Sequence, residues 1–319
     1  MRKIAIGVDI GGSHVSCAAC NIEEKIYLSE TFSENEVDNQ GTVDEILGVW
    51  SKTIQRTIEK VGIENVKGIG FAMPGPFDYA KGIALFKGDN KKYENIYELN
   101  VPDALREILC LPHNFPIRFI NDATAFAIGE SWIGKANGAK QLLAITLGTG
   151  FGSAFMKEGI PVVSGPEVPE IGCLWHLTFG SGIADDYFST RGLLNRYYEI
   201  TGIMLSGVKE LAQLADVQMN ARMLFDDFGS KLGIFLHPWM ETFGVEVLVI
   251  GGNISNAFSL FKESMKSYLK ANGSSVRIEV SELKESASLV GSAVLLDTDY
   301  FENLKSLIPL MSKLNISKL

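Results

Sequence analysis

The stretch Ile4-Ala5-Ile6-Gly7-Val8-Asp9-Ile10-Gly11-Gly12-Ser13-His14-Val15-Ser16-Cys17-Ala18-Ala19-Cys20 consists of two apolar runs joined by a polar turn that contains a diglycine. Short apolar runs bounded by turn residues read as strands, and the diglycine lets the chain reverse tightly, so Ile4 to Val8 and Val15 to Cys20 are expected to lie side by side and antiparallel. A third short strand, Ile26 to Ser29, follows Glu23-Glu24 and completes a meander. Beyond it, Val43, Ile46, Leu47, Trp50, Ile54 and Ile58 fall at helical spacing, which predicts a helix from about Thr42 to Val61. A buried strand, Gly68 to Ala72, runs into Pro74-Gly75-Pro76. A helix near Val101 to Leu109 then leads to strand Ile117 to Ile120. The order β-β-β-α-β-α-β predicts a mixed α/β sheet.

From residue 122 the same script recurs. Helix Ala123 to Ile133 precedes strand Leu142 to Leu147, a glycine turn, and strand Gly152 to Met156, a second copy of the strand-turn-strand opening. A more helical stretch spans about 183 to 240. It is followed by strand Val245 to Ile250, a helix near 255 to 270, strand Val276 to Val280 and helix Ser286 to Leu296. At roughly 150 residues per domain, 319 residues suggest two domains. The boundary is expected near residue 120, giving an N-terminal α/β domain over 1–120 and a larger C-terminal α/β domain over 121–285.

Composition narrows the function classes. Apolar residues make up 46% and charged residues 21%, which is globular rather than disordered or fibrous, and 32 glycines are more than such a chain needs. Against 29 Lys and Arg stand 38 Asp and Glu, a net charge of −9, with no dense basic run, so nucleic acid is not an expected partner. Four cysteines, no signal peptide and no apolar run of spanning length predict a cytoplasmic protein without a membrane segment. Cys17 and Cys20 have the spacing of a chelating pair, but residues three apart on a strand face opposite sides, so packing is the expected role of both.

Three glycine signals carry chemistry. Asp9-Ile10-Gly11-Gly12-Ser13 lies between two strands, where backbone N–H groups can face a phosphate and Asp9 can hold Mg²⁺ through water. It also reads as a plain hairpin with an acidic start. Leu147-Gly148-Thr149-Gly150-Phe151-Gly152-Ser153 repeats the design, and two such turns can clasp one polyphosphate. Neither matches the G-x-x-x-x-G-K-[ST] loop, and no lysine of that kind is present. Ile250-Gly251-Gly252-Asn253 follows an apolar run and precedes a helix, where small residues permit close approach of a flat ligand such as a nucleobase, although a strand-to-helix turn wants glycine anyway. Asn121-Asp122 ends one strand and begins a helix. That is a ligand position in open α/β sheets and also a preferred helix cap.

Taken in order, Asp9-Ile10-Gly11-Gly12, Pro74-Gly75-Pro76, Asn121-Asp122-Ala123, Leu147-Gly148-Thr149-Gly150-Phe151-Gly152, Glu170-Ile171-Gly172 and Gly251-Gly252 resemble the ROK family of sugar kinases within the actin-like ATPase superfamily. The resemblance runs from about residue 3 to 296. It implies two ribonuclease-H-like domains with ATP and a hexose-like sugar in the cleft between them, and C-terminal helices from about 286 to 319 that return to the first domain. It also implies ATP and Mg²⁺ as cofactors and phosphoryl transfer to a sugar hydroxyl. Asp9, Gly11, Gly12 and Ser13 would form the first phosphate loop, Gly148, Thr149, Gly150 and Gly152 the second, and Gly251 and Gly252 would line the adenosine site. Asp122 would be the general base, Asn121 and Glu170 would hold sugar hydroxyls, and Gly75 would shape the sugar pocket.

The departures from the family are as informative. Most ROK members continue the glutamate as Glu-x-Gly-His and follow it with a Cys-x-Cys-Gly-x-x-Gly-Cys-x-Glu segment whose cysteines bind a structural zinc with the histidine. Here Cys173 takes the histidine position, and Thr178 to Ser189 contains no cysteine. Gly182 keeps the glycine, Ile183 replaces the last cysteine, and Asp185 takes the place of the sugar-contacting glutamate. Cys173 and His176 are the only soft ligands nearby and a structural site needs four, so no zinc is expected. A thiol is a poorer hydrogen-bond partner than imidazole, so the sugar preference is expected to differ from that of the zinc-containing glucokinases. Two other readings are a non-catalytic sugar or nucleotide sensor of the same fold and a sugar-responsive repressor. With Asp9 so near the N-terminus, a repressor's DNA-binding domain ahead of it is not expected. Past the last family helix, Leu304, Leu307, Ile308, Met311 and Leu314 suit an amphipathic helix bent or broken at Pro309, packed on the first domain or serving a homodimer contact.

Overall fold

The structure is a computed structural model that describes residues 3–87 and 92–312. Strands β1 (Ile4–Ile10) and β2 (His14–Asn21) pair antiparallel from Ile4 opposite Asn21 to Ile10 opposite Val15, leaving residues 11–13 as the turn. Strand β3 (Ile26–Glu36) continues the meander and runs seven residues beyond the expected Ser29. It is an edge strand, so its outer face stays polar and lacks an apolar signature. Its ladder to β2 shifts register between Cys17 and Ala19, where the Thr31 hydroxyl accepts from the Ala19 N–H at 2.8 Å and donates to the Leu28 carbonyl at 2.6 Å. Helix α1 (Val43–Val61) starts at Thr42, whose hydroxyl accepts the Glu45 N–H while Glu45 reaches back to the Thr42 N–H. It buries Ile46, Leu47, Trp50 and Ile54 in the core.

Strand β4 (Val66–Met73) lies parallel to β1, and the small hairpin β5 (Phe77–Asp78) and β6 (Ile83–Ala84) follows it. Helix α2 (Val101–Ile108) then leads to β7 (Ile117–Asn121), which lies parallel to β4. The first sheet has the order β3-β2-β1-β4-β7. After helix α3 (Asp122–Trp132) the pattern repeats with β8 (Gln141–Leu147), β9 (Phe151–Lys157) and the two-residue β10 (Ile160–Pro161). A second small hairpin, β11 (Thr178–Phe179) and β12 (Gly182–Ile183), precedes α4 (Ala184–Phe188), α5 (Thr190–Thr201), α6 (Val208–Leu214) and α7 (Met219–Phe243). Strand β13 (Val247–Gly251), helix α8 (Phe258–Ala271) and strand β14 (Arg277–Val280) complete a sheet of order β10-β9-β8-β13-β14. Both sheets therefore have two antiparallel pairs on one side and two parallel pairs on the other. Residue 120 lies near the end of β7, just before α3.

Helix α9 (Ser286–Val294) returns to the first sheet and packs on β1 and β4, while α3 packs on β8 and β9; the two helices pack on each other more extensively than any other pair of elements. The core around the first sheet therefore continues through α3 and α9 to one face of the second sheet, taking in Leu142, Ala144, Met156 and Val249. The opposite face of that sheet, with Leu143, Ile145, Leu248 and Ile250, forms a separate core with α4 to α8. Glycines let these layers touch backbone to backbone. A Cβ at Gly7 would overlap the Leu289 carbonyl of α9, and one at Gly70 would overlap the Ser292 carbonyl. On the other side of α9, a Cβ at Gly291 would overlap the Ala125 carbonyl of α3, and one at Gly129 the Ala287 carbonyl. Part of the glycine surplus is thus packing.

The C-terminal segment forms two short helices, α10 (Thr298–Leu304) and α11 (Ile308–Met311), rather than one bent helix. Pro309 sits in the first turn of α11, where a missing N–H costs nothing. Leu304, Ile308 and Met311 are buried in the first-sheet core, which is the packing role; Leu314 lies outside the described residues. Cys17 and Cys20 are free and fully buried, and burial pushes both thiols up to about 12. No helix among the described residues is long and apolar enough to cross a membrane.

The helix contact yields a direct prediction. Gly291→Ala should destabilise the protein by about 3 kcal/mol or more, because a rigid helix backbone must move to admit one methyl. Urea unfolding should show a lowered midpoint, and an unchanged midpoint would refute the close crossing.

Candidate active site

The parallel strands β1, β4 and β7 end side by side. Asp9 pairs with Ala72, which pairs with Ile120, so Asp9, the Pro74-Gly75-Pro76 segment and Asn121-Asp122 leave the sheet at one edge. This is the C-terminal edge, where open α/β sheets bind ligands. Gly75 is half-buried there, and the Gly75–Pro76 peptide is cis.

Asp122 is the first residue of α3. Its Oδ1 accepts the Ala123 N–H at 2.8 Å and the Asn121 side-chain amide at 2.9 Å. Burial raises its pKa, and these hydrogen bonds oppose the rise. Asn121 is the N-cap, its Oδ1 accepting the Thr124 N–H at 3.2 Å. Its amide also reaches the Tyr79 hydroxyl at 3.4 Å, and that hydroxyl donates to the Met73 carbonyl at 3.1 Å. Both ends of Asn121 are therefore engaged with protein, and its amide helps to position Asp122. The cap and site readings of Asn121-Asp122 hold together. Burial also raises the Tyr79 phenol, with smaller contributions from Asp122 and Cys173, so these three groups are neighbours.

Around the first turn, neither Gly11 nor Gly12 occupies the left-handed region, so tight reversal is not what requires them. The Gly11 N–H donates to the His14 carbonyl at 2.9 Å, and the Gly11 carbonyl accepts the Tyr93 hydroxyl at 2.7 Å. The Asn39 amide donates to the Gly12 carbonyl. Ser13 is exposed, its hydroxyl 3.5 Å from His14 Nδ1. In the second turn, Thr149 and Gly150 are exposed, and Gly148 donates to the Gly150 carbonyl at 3.1 Å while accepting the Thr190 N–H at 2.8 Å.

Several of the residues expected at the ligand also make scaffold contacts. A Cβ at Gly152 would stand 2.9 Å from that of Ala123 and overlap the Thr146 hydroxyl, so this glycine lets the start of α3 lie against the second hairpin. Gly251 is buried, and a Cβ there would enter the Phe126 ring. Gly252 is exposed in the left-handed region (φ 78°), with its backbone on Leu147. Asp185 does not stand free in the cleft: Oδ1 accepts the Phe151 N–H at 2.7 Å and Oδ2 pairs with Arg191 at 3.1 Å, so it braces the second turn from behind. Glu170 is exposed on the 3₁₀ turn Glu170–Gly172, which touches α11. Cys173 Sγ lies 3.7 Å from His176 Nδ1. Tyr93, Asn39 and Tyr79 were not found from sequence, because they reach these turns and Asn121 from distant positions without a motif of their own.

Burial raises Asp9 to about 8, helped by the negative charges of Asp122 and Glu285. Among the described residues, His14, Glu34 and Glu285 are the one group of three or more such side chains with ligand atoms within 4.8 Å of one another; Cys173 and His176 make a pair only.

The model of the ROK family matches residues 5–299. The N-acetyl-D-glucosamine kinase of Photobacterium profundum is 27% identical over 289 residues, covering 83% of this chain and 88% of that protein. The glucokinase of Thermotoga maritima is 26% identical, covering 91% of this chain and 96% of its own. A xylose repressor of Caldicellulosiruptor bescii is 22% identical, covering 92% of this chain and 78% of that protein. Among solved structures, the ROK hexokinase of Thermus thermophilus superposes with a TM-score of 0.74 at 21% identity, covering 94% of this chain and 99% of its own. The ROK family glucokinase of Streptomyces griseus, solved with glucose and AMPPNP, gives 0.71 at 21% identity, covering 92% and 98%. The two-domain actin-like fold is shared with both.

Asp9 sets a pH signature. Its folded pKa, about 8, lies above its unfolded value, so the proton it holds stabilises the fold at low pH and that contribution is lost as pH rises through 8. In magnesium-free buffer Asp9→Asn should melt like the parent near pH ~4 and higher by on the order of 5 °C near pH ~9. Parallel melting curves across that range would refute the assignment.

Proposed function

We propose that this chain, which belongs to the ROK family, is an ATP-dependent carbohydrate kinase that transfers the γ-phosphoryl group to a hydroxyl of a hexose or hexose derivative. The observation that carries this reading is the meeting of a hydrogen-bonded carboxylate, Asp122, with two glycine turns at one edge of the cleft. Phosphoryl transfer asks mainly for positioning and charge neutralisation, with one carboxylate to take the proton of the attacking hydroxyl. The Ala123 N–H and the Asn121 amide fix the carboxylate through Oδ1, and in this reading the carboxylate receives that proton. The raised pKa improves the carboxylate as a base, while activity falls with pH once Asp122 protonates.

In this reading Gly11, Gly12 and Ser13 face the nucleotide phosphates from one domain and Gly148, Thr149 and Gly150 from the other. Gly252 borders the adenosine. Gly75, Glu170 and Cys173 surround the sugar, and Asp9 holds Mg²⁺ through water. The ion supplies neutralisation of phosphate charge when bound. A cytoplasmic location belongs to the same reading. The repressor relative keeps open a non-catalytic regulator of this fold, and retention of Asp122 and both turns favours the kinase.

Two measurements decide it. Purified protein with Mg·ATP should phosphorylate at least one sugar of a panel of hexoses and N-acetylhexosamines, and no turnover on any of them would overturn the reading. Asp122→Asn should lower kcat by about 10³ while sugar affinity changes little; an unaffected rate would remove Asp122 as the base.

A further inference from the structure

The first turn has a cation that no glycine-loop motif announces. A Cβ placed on Gly12 would stand 2.8 Å from Lys92 Nζ, 3.3 Å from its Cε and 3.5 Å from its Cδ. The lysine therefore lies along the face of the turn, with its charged end over residue 12. Any side chain at that position would push it away, which is a physical reason for glycine where backbone conformation supplies none.

The placement is built from the neighbouring residue outward. Tyr93 is 1% exposed, its hydroxyl donates to the Gly11 carbonyl at 2.7 Å, and its ring meets Trp50 edge-on at 5.5 Å and Phe86 at 5.7 Å. Its N–H donates to the Asn39 carbonyl at 2.8 Å, and the Asn39 amide in turn donates to the Gly12 carbonyl. The turn and the base of Lys92 are thus tied to one anchor, and the turn's carbonyls at Gly11 and Gly12 point at protein donors. The same edge carries Asp9 and Asp122, so a nucleotide's phosphates entering there need positive charge close by.

We propose that Lys92 is a phosphate-binding residue of the nucleotide site, its ammonium engaging terminal phosphate oxygens held against the Gly11-Gly12 turn. This rests on the kinase reading and deepens it. Lys92 makes no covalent bond and transfers no proton; it neutralises charge as the γ-phosphoryl group leaves one oxygen for another. It supplies from a loop 80 residues downstream what a lysine inside the loop supplies in strand-to-helix phosphate sites.

Isothermal titration with AMPPNP and with AMP tests this on the full chain. Lys92→Met should weaken AMPPNP binding about tenfold or more while changing AMP binding less than about twofold, and Lys92→Arg should recover most of the loss. Gly12→Ala, which displaces the lysine without removing it, should show the same selective loss. An Lys92→Met variant that binds AMPPNP like the parent, or that loses AMP to the same extent, would overturn the role of Lys92 and leave the kinase reading standing. A parent chain that binds neither nucleotide would overturn both.

Discussion

The contact on which the rest depends is the wedge of α9 between the first sheet and α3. On one side Gly7 and Gly70 bring the sheet backbone onto the carbonyls of Leu289 and Ser292, and on the other Gly129 and Gly291 bring two helix backbones together. Close-packed backbone leaves little room for sliding, since a side chain can change rotamer and a carbonyl cannot. The start of α3 carries Asp122, and Glu285 immediately precedes α9. The positions of these carboxylates relative to Asp9 are therefore consequences of helix packing rather than of loops. Gly152 and Gly251 extend the same constraint from the second sheet, one against Ala123 and the other against Phe126.

That rigidity has an electrostatic cost. Burial raises Asp9 well above an ordinary carboxylate, and the negative charges of Asp122 and Glu285 add to the rise. Like charges held this way are destabilising unless a cation or proton compensates them. A cation-accompanied polyphosphate is a compensating ligand, which links the packing of the helices to the chemistry of the cleft. Glu130 shows how the fold treats a carboxylate with no such task. It is fully buried in α3, with Oε1 accepting the Ser281 hydroxyl at 2.5 Å and Oε2 the Lys135 N–H at 2.9 Å, and so ties α3 to the end of the second sheet.

What was legible in the sequence followed from local rules. The meander, its repetition and the two turns are written in apolar runs and glycines, and the strand-end position of Asn121-Asp122 follows from chain order. The reach of β3 was not legible, because an edge strand with polar residues from Ser33 to Glu36 resembles a loop. The division of the glycines was not legible either. Whether a glycine lies open on the surface, as Gly150 does, or against a ring, as Gly251 does against Phe126, depends on neighbours that local sequence does not name. Lys92 and Asn39 escaped for the same reason, reaching the first turn across 80 and 27 residues.

The segment Thr178 to Ser189 poses the remaining structural question, since the family it resembles holds this region with zinc and here it has no cysteine. Hydrogen bonds and ring contacts run through it. The Ser181 N–H donates to the Tyr187 hydroxyl at 3.0 Å, the Ile183 N–H donates to Asp186 at 3.1 Å, and Arg191 bridges Asp185 and Asp186. Beneath them Phe179 packs against Tyr187, Phe188 and Phe235 at 5.0 to 5.4 Å. Asp185 joins this cluster to the second turn through the Phe151 N–H. A metal would fix such a loop through one centre, whereas this network distributes the work over many weak contacts, each worth about 1 kcal/mol. The same stretch of chain brings Cys173 Sγ within 3.7 Å of His176 Nδ1, and the charges of both Cys173 and Asp122 act on the buried Tyr79 phenol.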